Sequence, residues 1–264
     1  MNTAARLAPL GLAALLALTA CGSGEQATSD SGVPLVSEGQ LTVCVNPPFE
    51  PFAYTDESGE VVGFDMDIVN EVAKDLGVEL VAKVSAFETM QSGTDLDTGS
   101  CDLVTSGMTI TPEREAKFDF SEPYFDADQG LLVAADSGIT GVDGLAGKTV
   151  AVQQATTGET WAEENGLDVV QFEELGLQIK ALETGQVDAV VNDIAVLGPY
   201  ASGNLEVAAT FPTGEQYGIG AKTGSTALLD AVNATLDRIR EDGTYNELYT
   251  ARIGTAPSTA SSED

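Results

Sequence analysis

Short, nearly continuous apolar runs alternating with stretches of helical spacing constrain this chain more than any other feature. The runs are 41–46 (LTVCVN), 79–84 (ELVAKV), 102–106 (DLVTS), 149–153 (TVAVQ), 167–172 (LDVVQF), 187–191 (VDAVV) and 204–208 (LEVAA). Strands that are apolar on both sides belong to sheets covered on both faces, and the intervening helices supply the cover. Helical spacing is clear over 65–76, where Ile68, Val69, Val72, Ala73 and Leu76 share one face. It is looser over 173–184, through Leu175, Leu177, Ile179 and Leu182. The fold class is α/β with mostly parallel sheets.

The alternation comes in two blocks, about 38–126 and 131–213, and the segments 124–129 (YFDADQ) and 214–217 (GEQY) are extended in character. Helices at 225–241, with Gly243 beyond the first, and at 244–252 follow. The last residues, 255–264 (TAPSTASSED), read as a disordered tail. This pattern predicts two lobes, one from 38–126 plus 217–253 and one from 127–216 with the hinge segments. Open parallel sheets bind ligands at strand C-terminal edges, so the expected site lies between the lobes.

Composition removes whole classes of function. There is no histidine, which excludes imidazole metal sites and Ser-His-Asp or Cys-His nucleophiles. With 42 acidic and 11 basic residues the formal charge is −31, a poor match for nucleic acid. The pairs Asp65/Asp67 and Asp95/Asp97 lack the rest of a calcium loop and read as a helix start and a solvated loop. Residues 144–149 (GLAGKT) look like the end of a P-loop, but Val142 stands where its first glycine belongs and Lys148 leads into a strand. Neither a metal nor a cofactor is expected.

The N-terminus is a separate object. Arg6 precedes an uncharged apolar run, Leu7 to Ala20, too short for a span of about 20 residues and suited to a signal peptide. It ends in Leu18-Thr19-Ala20-Cys21-Gly22, which resembles the bacterial lipobox, where the cysteine becomes the lipidated first residue. Residues 21–37 are Gly/Ser-rich and read as a flexible tether. Two cysteines remain, Cys44 and Cys101; a disulfide and a pair of buried thiols are both compatible with the sequence.

Four segments at strand exits carry chemistry. In 105–114 (TSGMTITPER), Ser106, Gly107 and Thr109 offer hydroxyls and amides, Thr111 suits an N-cap and Pro112 the first helical position. Arg114, the only arginine between Arg6 and Arg238, is either a carboxylate fork or a surface charge beside Glu113 and Glu115. After 149–153 come Gln154, Thr157 as a candidate N-cap and Gly158, where free helix amides would favour an anion. Asn192 and Asp193 end the run 187–191; Asp193 either accepts an ammonium or caps a helix over 194–200. Asn46 opens the stiff loop NPPFEPF, whose Phe49, like Phe87 after 79–84, covers a ligand or packs in the core.

Five marks occur in order: the strand and Pro-Phe loop of 41–54, VGFDMD at 62–67, GMTITPER at 107–114, FDFSEPY at 118–124 and EDGTY at 241–245. Together they resemble the extracytoplasmic solute-binding proteins for polar amino acids that serve ABC importers, over about 38–253. The resemblance implies a two-lobed type II periplasmic-binding fold with a two-strand hinge. It implies a monomeric receptor rather than an enzyme, anchored through lipid on Cys21, with an amino-acid ligand and a permease with its ATPase as partners. Arg114 would fork the ligand carboxylate with help from Thr109 and the amides near Thr157 and Gly158. Asp193 would take the ammonium, assisted by the backbone near Ser106 or Gly107, while Phe49 and Phe87 sandwich the side chain. Relatives that take cationic amino acids commonly carry an acid where Asn46 stands. Asn46 and Gln154, with Asn192 as a further amide, therefore point to glutamine, with glutamate or an osmolyte as alternatives. A dehydratase on the same fold and a sensor subunit are the rival functions.

Overall fold

Gln40–Val45 (β1) is buried at every position after Gln40, so both of its faces meet other elements. Leu41, Val43 and Val45 join one core and Cys44 another, as the two-residue side-chain period of a strand requires. The computed structural model describes Met1, residues 27–29 and residues 32–254. The expected signal peptide, the lipidation at Cys21 and the tail 255–264 lie outside the described residues.

A small hairpin, β2 (Tyr54–Thr55) and β3 (Val61–Val62), precedes α1 (Phe64–Leu76) and β4 (Glu79–Val84). Helices α2 (Phe87–Gln91) and α3 (Thr94–Asp97) lead to β5 (Leu103–Val104), followed by α4 (Pro112–Glu115) and β6 (Asp119–Phe120). The chain then crosses into a second sheet through β7 (Phe125–Ala134) and β8 (Thr149–Gln153). There α5 (Thr157–Glu164), β9 (Asp168–Phe172), α6 (Leu175–Glu183), β10 (Ala189–Asp193) and α7 (Ile194–Leu197) follow. It returns along β11 (Leu205–Tyr217) to β12 (Gly220–Ala221), α8 (Thr226–Glu241) and α9 (Thr244–Arg252).

The first sheet has the order β4-β1-β5-β12-β6 and the second β11-β7-β10-β8-β9. We call the sheets with their helices lobe 1 and lobe 2. Pairs joined through helices are parallel, as in β4-β1-β5 and β10-β8-β9. Pairs involving β7, β11 or β12 are antiparallel, so both sheets are mixed. Strands β7 and β11 pair from Phe125↔Tyr217 to Ala134↔Leu205 and form the two-strand connection between the lobes. The run 131–134 inside β7 was not anticipated as a strand, and β10 begins at Ala189, two residues later than the apolar run.

Residues 32–37 are not a free spacer. Val33 and Leu35 are buried in the main core, and the Val36 N–H donates to Asp102 Oδ1 at 2.6 Å. The other Asp102 oxygen accepts from the Thr42 N–H at 2.8 Å, so one carboxylate ties this segment to β1. Cys44 and Cys101 form a disulfide with a Cα–Cα distance of 5.8 Å. No described helix is long and apolar enough to cross a membrane.

Candidate functional site

The C-terminal ends of β1 and β5 in lobe 1 face those of β8 and β10 in lobe 2. Between them lies a narrow cleft. Its wall on lobe 1 depends on Asp65, a buried carboxylate in the first turn of α1. Asp65 Oδ2 accepts from the Ser106 and Gly107 N–H groups at 2.7 and 2.8 Å and from Thr105 Oγ1 at 2.7 Å, while Oδ1 accepts from the Tyr124 hydroxyl at 2.6 Å. These bonds hold the chain where it leaves β5 in a conformation it would not adopt unaided: Ser106 has φ 115° and Gly107 φ 59°. A Cβ at position 107 would sit 2.4 Å from the Phe49 ring, so the turn needs glycine for space as well as for φ. Asp65 is thus a structural clamp and not merely a helix-start residue. Burial, its largest influence, raises its pKa against the pull of the four donors. Asp67 pairs with Arg252, and the buried Asp95 accepts from Ser85 and Thr89, in place of a solvated loop.

Arg114 follows from the α4 start. Thr111 Oγ1 accepts from the Arg114 N–H at 3.2 Å with Pro112 at the first helical position, which turns the arginine inward. Its side chain is buried and enters none of the ion pairs among the described residues. Nη1 donates to the Thr109 carbonyl at 2.8 Å and Nη2 to the Ala155 carbonyl of lobe 2 at 3.2 Å. The guanidinium carbon lies 5.3 Å from the centre of the Phe87 ring, so the π face supports the cation. Burial lowers the pKa of Arg114 to about 10, and the group stays charged at neutral pH. The surface-charge reading of Arg114 is excluded.

On lobe 2 the N-cap of α5 is Thr156, one residue before the expected Thr157. Thr156 Oγ1 accepts from the Glu159 N–H at 3.2 Å, and Glu159 Oε2 accepts from the Ala155 N–H at 2.6 Å. The sequence TTGE thus carries the capping-box pattern in a frame the Thr157 reading missed, with Glu159 reaching back to the N–H one residue before the cap. Gly158 stands where a Cβ would meet Gln129 Oε1 at 2.9 Å. Asp193 ends β10 and makes no side-chain cap for α7; its carboxylate accepts from Gln129 Nε2 and the Tyr217 hydroxyl. Burial raises the pKa of Asp193 to about 7, opposed by the Tyr217 bond, reinforced by Glu215 and opposed again by Gln129 and Arg114.

Asn46, Phe49, Phe87, Ser106, Gly107, Thr109, Arg114, Thr157, Gly158, Asn192 and Asp193 all line the cleft. Gln154 does not; Gln153 does, because successive strand residues point to opposite faces. Gln154 instead borders a neighbouring opening with Glu88, Glu173 and Glu174. Gln153 Nε2 donates across the lobes to Asn46 Oδ1 at 2.9 Å, and Gly176 of α6 leaves room for Pro48. Phe49 and Phe87 are both core and lining residues. Asp65, Gln129, Gln153 and Thr156 were missed; the T-x-x-E pattern could have found Thr156. Gln129 Oε1, Gln153 Oε1 and Asn192 Nδ2 are buried without a hydrogen-bond partner among the described residues. Among the described residues no acidic or cysteine side chains converge as a metal site.

A model of the bacterial extracellular solute-binding proteins, family 3, matches residues 41–255. The chain is 34% identical over 257 residues to the ABC transporter glutamine-binding protein GlnH of Bacillus subtilis, covering 92% of this chain and 94% of that protein. It is 33% identical over 245 residues to a Neisseria gonorrhoeae protein named "Probable histidine-binding protein", covering 89% and 90%. Among solved structures, an ancestral arginine-binding protein bound to arginine gives a TM-score of 0.77 at 36% identity, covering 82% of this chain and 99% of that one. A glutamine-bound structure under the same description gives 0.76 at 37% identity with the same coverage.

Proposed function

Because the chain belongs to the bacterial extracellular solute-binding proteins of family 3, we propose that it is a lipid-anchored extracytoplasmic receptor that closes on a polar amino acid and delivers it to an ABC importer. The observation that carries this reading is a separation of charge. Arg114 from lobe 1 and Asp193 from lobe 2 line one cleft, both buried, and neither has an ionic partner among the described residues. A zwitterion supplies the missing charge to each and is gripped best when the lobes are together, so it favours the closed state.

In this reading Arg114 forks the α-carboxylate, with Thr109 and the amides around Thr157 and Gly158 as further donors. Asp193 accepts the α-ammonium near Ser106 and Gly107, and the rings of Phe49 and Phe87 hold the side chain. The neutral amides of Asn46, Gln153 and Asn192 favour glutamine, in keeping with the GlnH likeness. A cationic amino acid is the second reading. A neighbouring opening that shares Asn46 and Phe87 with the cleft is lined by Glu88, Glu173 and Glu174, and two of the relatives are named for histidine and arginine. Lipid on Cys21 would hold the receptor at the membrane, and the permease with its ATPase would be the partner; the dehydratase alternative has one hint, a likeness at 35% identity and TM-score 0.75 to an ancestral amino-acid-binding protein described as a precursor of cyclohexadienyl dehydratase, and that neighbour is itself described as a binding protein.

A thermal-shift screen of the full chain against the twenty amino acids tests this. Glutamine, or arginine in the second reading, is expected to raise the midpoint by mass action. Arg114→Ala should abolish the shift, a loss of about 2–5 kcal/mol in affinity. No shift with any amino acid, or an undiminished shift in the variant, would contradict the assignment.

A further inference from the structure

Two neighbouring side chains of lobe 2 line the cleft with opposite unused hydrogen-bonding groups. Strands β8 and β10 run parallel with Ala189 opposite Val150 and Val190 opposite Ala151, and the same offset sets Asn192 beside Gln153. Adjacent strands lie about 4.8 Å apart, and residues in register point to the same face. Ala151 and Val190 both join the main core, so Gln153 and Asn192, two positions further on, leave that face at the strand ends. Both line the cleft, and they are 2% and 5% exposed. Gln153 Oε1 and Asn192 Nδ2 are buried without a hydrogen-bond partner among the described residues, so neither bonds the other. Gln129 Oε1 is unpartnered too, but Gln129 does not line the cleft; its oxygen lies against Gly158 instead.

Which atom of each amide is free is settled by backbone groups that have a single hydrogen-bonding sense. The Ser85 carbonyl can only accept, so it takes Asn46 Nδ2 at 2.9 Å and leaves Asn46 Oδ1 for the opposite lobe. That oxygen accepts from Gln153 Nε2 at 2.9 Å, and the Glu173 carbonyl accepts from the same nitrogen at 3.3 Å. Both hydrogens of the Gln153 amide are thereby used, and its oxygen is left as a bare acceptor. Asn192 is fixed in the reverse sense. The Asp193 N–H can only donate, and it gives to Asn192 Oδ1 at 2.9 Å, which leaves the Asn192 amide nitrogen as a bare donor. Flipping Gln153 would set acceptor against acceptor, and flipping Asn192 would set donor against donor.

We propose that Gln153 and Asn192 are the specificity-determining pair of the receptor, and that together they read a primary carboxamide at the end of the ligand's side chain. This rests on the amino-acid reading above and decides between its two cargoes. A carboxamide brings one N–H donor for Gln153 Oε1 and one carbonyl acceptor for Asn192 Nδ2, both on the same carbon. The carboxylate of glutamate has no hydrogen for Gln153 Oε1 and sets a negative charge against it. An ammonium or guanidinium satisfies Gln153 but offers no acceptor to Asn192 Nδ2. Each mismatch leaves a buried polar group unpaired, and a hydrogen-bonding site rejects analogues of similar size on that ground. In this reading Arg114 and Asp193 hold the carboxylate and ammonium that every amino acid carries, so the choice among amino acids falls to Gln153 and Asn192.

Calorimetric titration of the full chain at pH 8 with glutamine, glutamate, glutamate γ-methyl ester, ornithine and arginine separates these contacts. The ester keeps the carbonyl and loses the N–H without adding charge, whereas ornithine keeps the donors and loses the acceptor. Glutamine is expected to bind most tightly, with Kd at least about tenfold higher for the ester, ornithine and arginine and about a hundredfold higher for glutamate. Gln153→Met should bring glutamine and the ester within about threefold of each other, and Asn192→Ala should do the same for glutamine and ornithine. Wild-type binding of any of the other four as tightly as glutamine would overturn the proposal and leave the amino-acid receptor intact. Variants that weaken all ligands alike, with these ratios unchanged, would reduce the two residues to a structural role and overturn it too. Failure of every amino acid to bind would overturn the amino-acid reading and this one with it. The wild-type series decides the ligand class even should a variant fail to fold.

Discussion

On the lobe 1 wall of the cleft the polar groups are already satisfied. Asp65 accepts four hydrogen bonds, Ser106 exchanges bonds with Asn46, and Arg114 rests on a carbonyl and an aromatic ring. A disulfide from β1 to the start of β5 lies beneath. On the lobe 2 wall Gln129 Oε1, Gln153 Oε1 and Asn192 Nδ2 have no hydrogen-bond partner among the described residues, and Asp193 enters none of the ion pairs among them. Buried polar atoms are nearly always paired, so such a cluster marks a surface whose partners are supplied from outside. The difference teaches that lobe 1 is built before the ligand arrives and lobe 2 is completed by it. Substitutions in lobe 1 other than at Arg114, the one group there assigned to the ligand, should therefore cost stability first, and substitutions in lobe 2 should cost affinity first.

The sharpest test of the lobe 1 half is to remove the disulfide. Cys44 and Cys101 are 57 residues apart, and the Cys44→Ser/Cys101→Ser pair should lower unfolding stability in urea by about 4 kcal/mol on a chain-entropy basis. Asp65→Ala comes next, at about 3 kcal/mol, because it strands two buried N–H groups and two hydroxyls. A loss of affinity without loss of stability in either case would break the comparison.

In lobe 2 the expected sign is opposite. The pKa of Asp193 is raised to about 7, so the folded state holds its proton more tightly than the unfolded chain. That contribution to stability is complete below the ordinary aspartate range and lost as pH rises through about 7. Asp193→Asn removes the decline, and the ligand-free protein should gain about 1–3 kcal/mol at pH 8 while losing amino-acid binding. Equal or lower stability in urea at that pH would contradict the account. The smallest effect expected is that of Gly158→Ala, whose Cβ would press on Gln129 Oε1 at 2.9 Å. It should weaken binding about tenfold, roughly 1.4 kcal/mol, with little change in the unfolding midpoint.

The same division explains what could be read in the sequence. Strands such as β1 and β8 announce themselves because continuous Val and Leu leave no other economical burial, and α8 carries a clear stripe with Gly243 beyond its end. Strand β7 opens with Phe-Asp-Ala-Asp-Gln, which reads as extended, but its continuation through 131–134 was not anticipated, because the partner β11 is antiparallel and distant in sequence. Of the site, Arg114 was legible through its scarcity and its position after Thr111-Pro112, and Asp193 through the abrupt end of an apolar run. Gln153 was misplaced by one residue because strand parity is not visible at a strand's end. Asp65 and Gln129 were hidden for a different reason: both act through residues 40 to 86 positions away, and nothing local distinguishes them from a helix-start aspartate or a strand glutamine.

The central claim is that one ligand is held by opposite charges on opposite lobes. Calorimetric titration at pH 8 with an amino acid and its α-desamino analogue, in wild type, Arg114→Ala and Asp193→Ala, tests it most directly. The account predicts that wild type binds the amino acid and rejects the analogue by about a hundredfold or more, the cost of leaving Asp193 unpaired. Asp193→Ala should bind both weakly and no longer distinguish them, and Arg114→Ala should lose both. Undiminished discrimination in Asp193→Ala would mean that the ammonium is not held there, and the account would be wrong.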